Sequence, residues 1–221
     1  MGEADNPGRE RILQRIRAGV RVPAVEHGEA RREGAIFPPV PDLLLRFQQE
    51  CAGNITECVL TRDRTDSAAA IARILASLPA GELYAQDATE LRGIAAQFAN
   101  GRSLRWSSEG PPAEASQATL TLAHALVAST ASILVSSLCG GRGASVVAPC
   151  HIVLAHCEQM VPDLEAALAL AVREGWATSA SFLGLVTGSS RTADIEKLLV
   201  IGAHGPRRLV VVLETGPGAQ A

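Results

Sequence analysis

Apolar residues recur along this chain with two different periods, and the change between them lays out its elements. Near the start Ile12, Leu13 and Ile16 fall at helical spacing among Arg11, Arg15 and Arg17, which predicts an amphipathic helix that Gly19 ends. From Val22 to Pro41 the pattern dissolves into Pro, Gly and charge, the composition of a linker or surface arm, with Phe37 and Val40 as residues to pin it. Residues 1–41 therefore read as a helix and extended arm, and 42–221 as a single α/β domain. A short helix is predicted from Asp42 to Cys51, then a strand at Glu57–Thr61. Asp66 or Ser67 is the expected cap of a helix carrying Ile71, Ile74, Leu75 and Leu78. A strand remnant at Leu83-Tyr84 precedes Asp87 and Glu90, spaced as a capping box, and a helix with Leu91, Ile94, Ala95 and Phe98 on one face.

In the C-terminal half Leu120 and Leu122 alternate with threonines, as in a half-buried strand. Ile133–Val135, Ile152–Leu154 and Leu209–Leu213 are continuous apolar runs, which suit strands covered on both faces. A helix is expected between Pro162 and Gly175, and another from Thr192 with Ile195, Leu198, Leu199 and Gly202 on one face. Between Val135 and Ile152 lies only a glycine-rich loop. Parallel neighbours need a longer crossover, so these two strands are expected to be antiparallel or non-adjacent, and the sheet mixed.

Composition narrows the function classes. The formal charge is −3 with no basic stripe, which points away from nucleic acid. No run reaches the ~18 apolar residues of a membrane span, and the first ten residues lack the apolar core of a secretory signal. The five cysteines form no C-x-x-C pair, so neither a zinc ribbon nor a redox dithiol is expected; reduced thiols in the cytoplasm fit better. No metal or cofactor is expected.

Three segments carry a family likeness. They are L-V-S-S-L-C-G-G-R-G-A-S-V-V-A-P-C-H-I-V from Leu134 to Val153, M-V-P-D-L-E-A-A-L from Met160 to Leu168, and T-G-S-S-R-T-A-D-I-E from Thr187 to Glu196, followed by I-G-A-H-G-P to Pro206. In this order and spacing they resemble the lactate-utilisation C family, whose members carry the LUD domain. The resemblance implies a three-layer α/β fold similar to the NagB, ribose-5-phosphate isomerase and CoA-transferase group. It also implies a role in oxidising L-lactate to pyruvate beside two iron–sulfur partner proteins. This chain lacks clustered cysteines, so it would be the cluster-free member. The acidic residue that the family usually carries before its first long buried strand is Ala128 here, and the usual Pro of the third motif is Ser189. An activity that depends on that carboxylate is not implied for this chain.

Two loops hold the candidate chemistry. Gly188, Ser189, Ser190, Arg191 and Thr192 follow a strand and are expected to open a helix, where backbone N–H groups and the Arg191 fork suit an anion. The plainer alternative is a capped junction with Arg191 paired to Asp194. Gly140, Gly141, Arg142 and Gly143, flanked by Ser136 and Ser137, are either a chain reversal that needs glycine or a substrate loop. Ser137, Gly141, Arg142, Gly188, Ser190, Arg191 and Thr192 are thus the expected ligand-binding residues, with Arg142 and Arg191 converging on one small anionic metabolite, a carboxylate or sugar phosphate. A partner-only subunit predicts instead that the two arginines face apart. His151, His156, His204 and Cys150 read as structural, since none has the spacing or charged neighbours of a catalytic or metal group.

Overall fold

The computed structural model describes residues 7–19, 37–99, 101–112, 114–193, 199–201 and 205–216. The chain divides into two compact units, 1–38 and 39–221. In the first, helix α1 spans Pro7–Gly19 and ends where the sequence placed its stop. Most of the expected arm, residues 20–36, lies outside the described residues. No described helix is long and apolar enough to cross a membrane.

The second unit opens with α2 (Leu43–Gly53), whose first turn is capped by Asp42 accepting the Leu45 N–H at 2.9 Å. Six strands then form one parallel sheet: β1 (Thr56–Thr61), β2 (Leu83–Ala85), β3 (Leu104–Trp106), β4 (Ala118–Leu122), β7 (Cys150–His156) and β12 (Arg208–Glu214), in the order β1-β12-β7-β4-β2-β3. Four further strands, β5 (Ala125–Val127), β6 (Ser132–Ser136), β8 (Met160–Val161) and β9 (Leu183–Thr187), form a smaller sheet ordered β8-β5-β6-β9. The mixing expected from the glycine-rich connection is confined to this smaller sheet, where β6 runs antiparallel to β5 and β9 while β5 and β8 are parallel. Of the two arrangements the short connection allows, antiparallel or non-adjacent, β6 and β7 take the second.

The strand pleat sorts the core into layers. Ile152, Leu154, Val210 and Val212 face helices α3 (Arg64–Ala76) and α4 (Thr89–Phe98), meeting Ile71, Leu75, Leu91 and Phe98. Val153, Ala155, Val211 and Leu213 face the other way, onto Phe47 of α2 and Leu126, Ile133 and Val135 of the smaller sheet. The parallel sheet is therefore the middle of three layers. Outside the smaller sheet, Ala171 of α5 (Leu164–Arg173) and Trp176 of α6 (Trp176–Ser179) pack on Ala125 and Leu134. Such fully buried side chains are worth about 1.5–3 kcal/mol each. The core is aliphatic, as the low aromatic content required.

Three sequence expectations are corrected. The cap of α3 is Asp63, not Asp66 or Ser67; its carboxylate accepts the Asp66 N–H at 2.9 Å and moves the start one turn earlier. Asp87 and Glu90 form no capping box: the residue before α4 is Ala88, without a side-chain cap. Asp87 is instead taken by Arg92 and Ser108, and Glu90 by Arg64 and His156. The helix expected from Thr192 is replaced by an antiparallel ribbon of β10 (Arg191–Ala193) and β11 (Leu199–Ile201). Thr192, Val200 and Ile201 are β-branched, which favours the extended form; Ile195, Leu198 and Gly202 lie outside the described residues.

Candidate functional site

The connections after two neighbouring strands leave on opposite faces. β2 runs into α4 on one side, while β4 runs into β5 and the smaller sheet on the other. Such a reversal opens a crevice at the carboxyl ends of parallel strands. Here it is spanned by Gln86, whose amide accepts the Leu122 N–H at 2.8 Å and donates to the Leu138 carbonyl at 3.3 Å.

Over that edge folds the glycine-rich loop. Gly140 and Gly141 both have left-handed backbones, with φ of 87° and 89°, so the chain reverses within two residues. Gly143 is needed for space as well: a Cβ there would lie 2.9 Å from Pro112 Cγ. The Tyr84 hydroxyl donates to the Gly140 carbonyl at 2.6 Å and ties the loop down to β2. Between this loop, Tyr84, Ser107 and the Gly110–Pro112 turn lies a cavity of about 350 Å³. Ser137, Gly141 and Arg142 all line it.

Arg142 is the cation of this cavity. It is exposed and has no carboxylate partner among the described residues; its guanidinium lies 5.4 Å from the centroid of the Phe182 ring. Ser137 is held on both sides by the same neighbour segment, its N–H donating to Phe182 O at 2.9 Å and its hydroxyl accepting Ser181 N–H at 3.0 Å. One hydrogen bond behind the wall, Ser136 Oγ accepts the Leu138 N–H at 3.1 Å and meets His124 Nε2 at 2.7 Å. His124 stacks on Trp176 at 4.0 Å, and burial pushes its pKa below the ordinary histidine value, favouring the neutral ring.

The second expected loop is elsewhere. β6 and β9 pair antiparallel from Ser132↔Thr187 to Ser136↔Leu183, so Ser137–Gly143 leaves one end of the ladder and Gly188–Ser190 the other. The Ser189 hydroxyl donates to Ile55 O at 2.9 Å, and Ser190 N–H to Pro206 O at 2.8 Å, both at the amino ends of the parallel strands. The backbones of the two loops expected to converge thus leave opposite ends of this ladder. Gly188 and Ser190 sit at the far end, Arg191 and Thr192 begin β10, and the side chains of these last two lie outside the described residues, as do Asp194 and His204. With strand β10 following Gly188–Ser190, the helix-dipole argument for an anion there falls away.

The other histidines separate clearly. His151 is fully buried, its Nε2 2.9 Å from Thr121 Oγ1, and desolvation pushes its pKa down to about 4. His156 joins a charge network that sequence reasoning missed. Arg64 reaches Glu90 at 2.6 Å and Glu214 at 3.2 Å, and His156 Nε2 reaches Glu90 at 2.8 Å. These residues come from four different elements, so no local spacing reveals the network. Burial pushes the Cys150 thiol up to about 11, as suits an inert group. Ala128 is fully buried in the apolar layer between the sheets, so the family's acidic position is here part of the core.

A larger cavity, about 590 Å³, lies at the amino ends of β2 and β3. Its arginine, Arg102, is already spent on the carbonyls of Leu75, Leu78 and Pro79 at 2.6–2.8 Å, closing the end of α3. The smaller cavity has the uncommitted cation.

Comparison with known proteins places this geometry in a family. No curated protein gives a significant match. A crystal structure of a DUF162 family protein from Deinococcus radiodurans superposes with a TM-score of 0.59 at 20% identity, covering 79% of this chain and 96% of that one, a likeness of fold. The LUD domain model matches residues 44–213, which takes in both sheets and the whole cavity. The chain belongs to the LUD domain family.

Proposed function

We propose that this chain is a component of an L-lactate-to-pyruvate oxidation system that acts with iron–sulfur partner proteins and holds a small carboxylate in the Arg142 cavity. The LUD domain family is associated with lactate utilisation. The observation that carries the reading is Arg142: a guanidinium lining a cavity at the switch point of the parallel sheet, with no acidic partner among the described residues. A guanidinium offers two parallel N–H groups to a carboxylate, and Ser137 adds a hydroxyl to the same wall. Gly188, Ser190, Arg191 and Thr192 have no part in this version of the site.

Calorimetric titration of the full chain with L-lactate and with pyruvate tests it. Saturable binding that Arg142→Ala abolishes is the expected result. No heat from either acid, or equal binding by the variant, overturns the carboxylate site.

A second reading rests on the rim of the same loop, where Leu138, Val146 and Val147 are exposed. Exposed apolar side chains gathered in one segment mark protein contacts. In this reading the loop docks an iron–sulfur partner, and Val146→Asp removes co-purification of that partner from the native cell while leaving carboxylate binding intact.

A further inference from the structure

We infer that Gly184 and Phe182 are positioning residues that aim Arg142 into the cavity, an inference that rests on the carboxylate-site reading above. Gly184 is the second residue of β9, where a glycine forgoes packing and weakens a strand unless something must approach the backbone closely. What approaches is the Phe182 ring. A Cβ on Gly184 would lie 2.6 Å from Phe182 Cζ and 3.2–3.3 Å from its two Cε atoms. The ring thus lies across the bare backbone two residues further along the chain.

The ring cannot simply shift with its backbone, because that backbone is pinned: Phe182 O accepts the N–H of Ser137, itself a wall of the cavity. Above the ring sits the Arg142 guanidinium, 5.4 Å from the centroid, within the range of a cation–π contact. Arginine has a long, rotamer-rich side chain, and no described carboxylate restrains this one. The ring face therefore supplies the restraint. Stacking uses the flat face of the guanidinium and leaves its edge N–H groups for a carboxylate. The order of dependence runs from Gly184, which makes room, through Phe182, which lies in that room, to Arg142, which the ring holds.

The test uses the full chain with two readouts. In NMR spectra the Arg142 δ-protons are shifted upfield by the ring current in the wild type. Phe182→Leu and Gly184→Ala lose the shift, and Phe182→Tyr keeps it. Pyruvate titrations run in parallel: both disruptive variants weaken binding by roughly three- to tenfold, the size of one cation–π contact, and Phe182→Tyr restores it. Should Gly184→Ala fail to fold, Phe182→Leu carries the test alone. An unchanged Arg142 shift in Phe182→Leu overturns the inference, and so does unchanged affinity in a wild type that binds. A wild type that binds neither pyruvate nor lactate defeats the carboxylate reading and with it the role in binding, while the proton shifts still decide whether Phe182 and Gly184 hold Arg142.

Discussion

Tyr84 donates its phenolic hydrogen to the carbonyl of Gly140 at 2.6 Å, across 56 residues of chain and with both groups buried. Burial pushes the Tyr84 pKa up, so the hydroxyl stays protonated and stays a donor. Tyr84→Phe keeps the ring but strands a buried carbonyl, at a cost of about 1–3 kcal/mol. The urea midpoint should fall accordingly, and amide exchange at Gly140–Gly143 should quicken more than in β7. Unchanged exchange in that loop would mean that the hydrogen bond does not fix it.

His151 gives the protein an acid-sensitive core. Its folded pKa is about 4, against an ordinary value of 6.5, because desolvation disfavours the charged ring. The unfolded chain therefore binds a proton between those values and the folded chain does not. Stability is full above pH 6.5 and drains away as the pH falls towards 4, by about 3 kcal/mol in all. Asp87, held near 2 by Arg92 and Ser108, loses its contribution only below that window, as pH falls from 3.8. Denaturant melts at pH 7 and pH 4.5 should show the loss in wild type and a much smaller loss in His151→Asn; equal losses would acquit His151.

Arg64 bridges Glu90 and Glu214, with His156 beside them, joining the starts of α3 and α4 to the ends of β7 and β12. The side chains are 15–35% exposed, so solvent screens the pairs only in part. Arg64→Met leaves two carboxylates around one imidazole and should cost about 1–3 kcal/mol, less at 1 M salt. A double-mutant cycle of Arg64→Met with Glu214→Gln should show coupling above about 0.5 kcal/mol. Strict additivity would mean that the four residues do not act as a unit.

The sequence was most informative where periodicity alone decides an element. Continuous runs such as Ile152–Leu154 and Leu209–Leu213 are buried on both faces, and the missing crossover after Val135 marks β6 and β7 as antiparallel or non-adjacent, of which the fold takes the second. The likeness carried by the three motifs led to the right family. Capping is not legible where several acids have helix-start spacing: Asp63 caps α3 through the Asp66 N–H, while Asp87 and Glu90 are taken by side-chain partners away from the cap. Where the two loops lie is not legible locally, because strand order is set by pairing at long range. Once β9 runs antiparallel to β6, loops that follow each strand must lie at opposite ends. Tyr84 and Pro112 reach the cavity, and Phe182 reaches Arg142, only through the fold, and no spacing along the chain connects them.

That same ladder separates the two arginines in a way solution measurements can read. Five paired residues span roughly 14 Å at ~3.4 Å per step. Beyond the Thr187 end the backbone is anchored by Ser189 to Ile55 and by Ser190 to Pro206, before it reaches Arg191. Arg142 stands past the opposite end, in the cavity. Arg191→Ala is therefore expected to leave the pyruvate titration unchanged, whereas Arg142→Ala abolishes it. Arg142→Ala should cost little stability, about 0.5–1 kcal/mol, since its described contact is one exposed cation–π pair. Arg142→Lys keeps the charge but not the planar fork, and should bind measurably weaker than wild type. A comparable loss of binding in Arg191→Ala would place both loops on one ligand, and would contradict the register that puts Ser132 opposite Thr187 and Ser136 opposite Leu183.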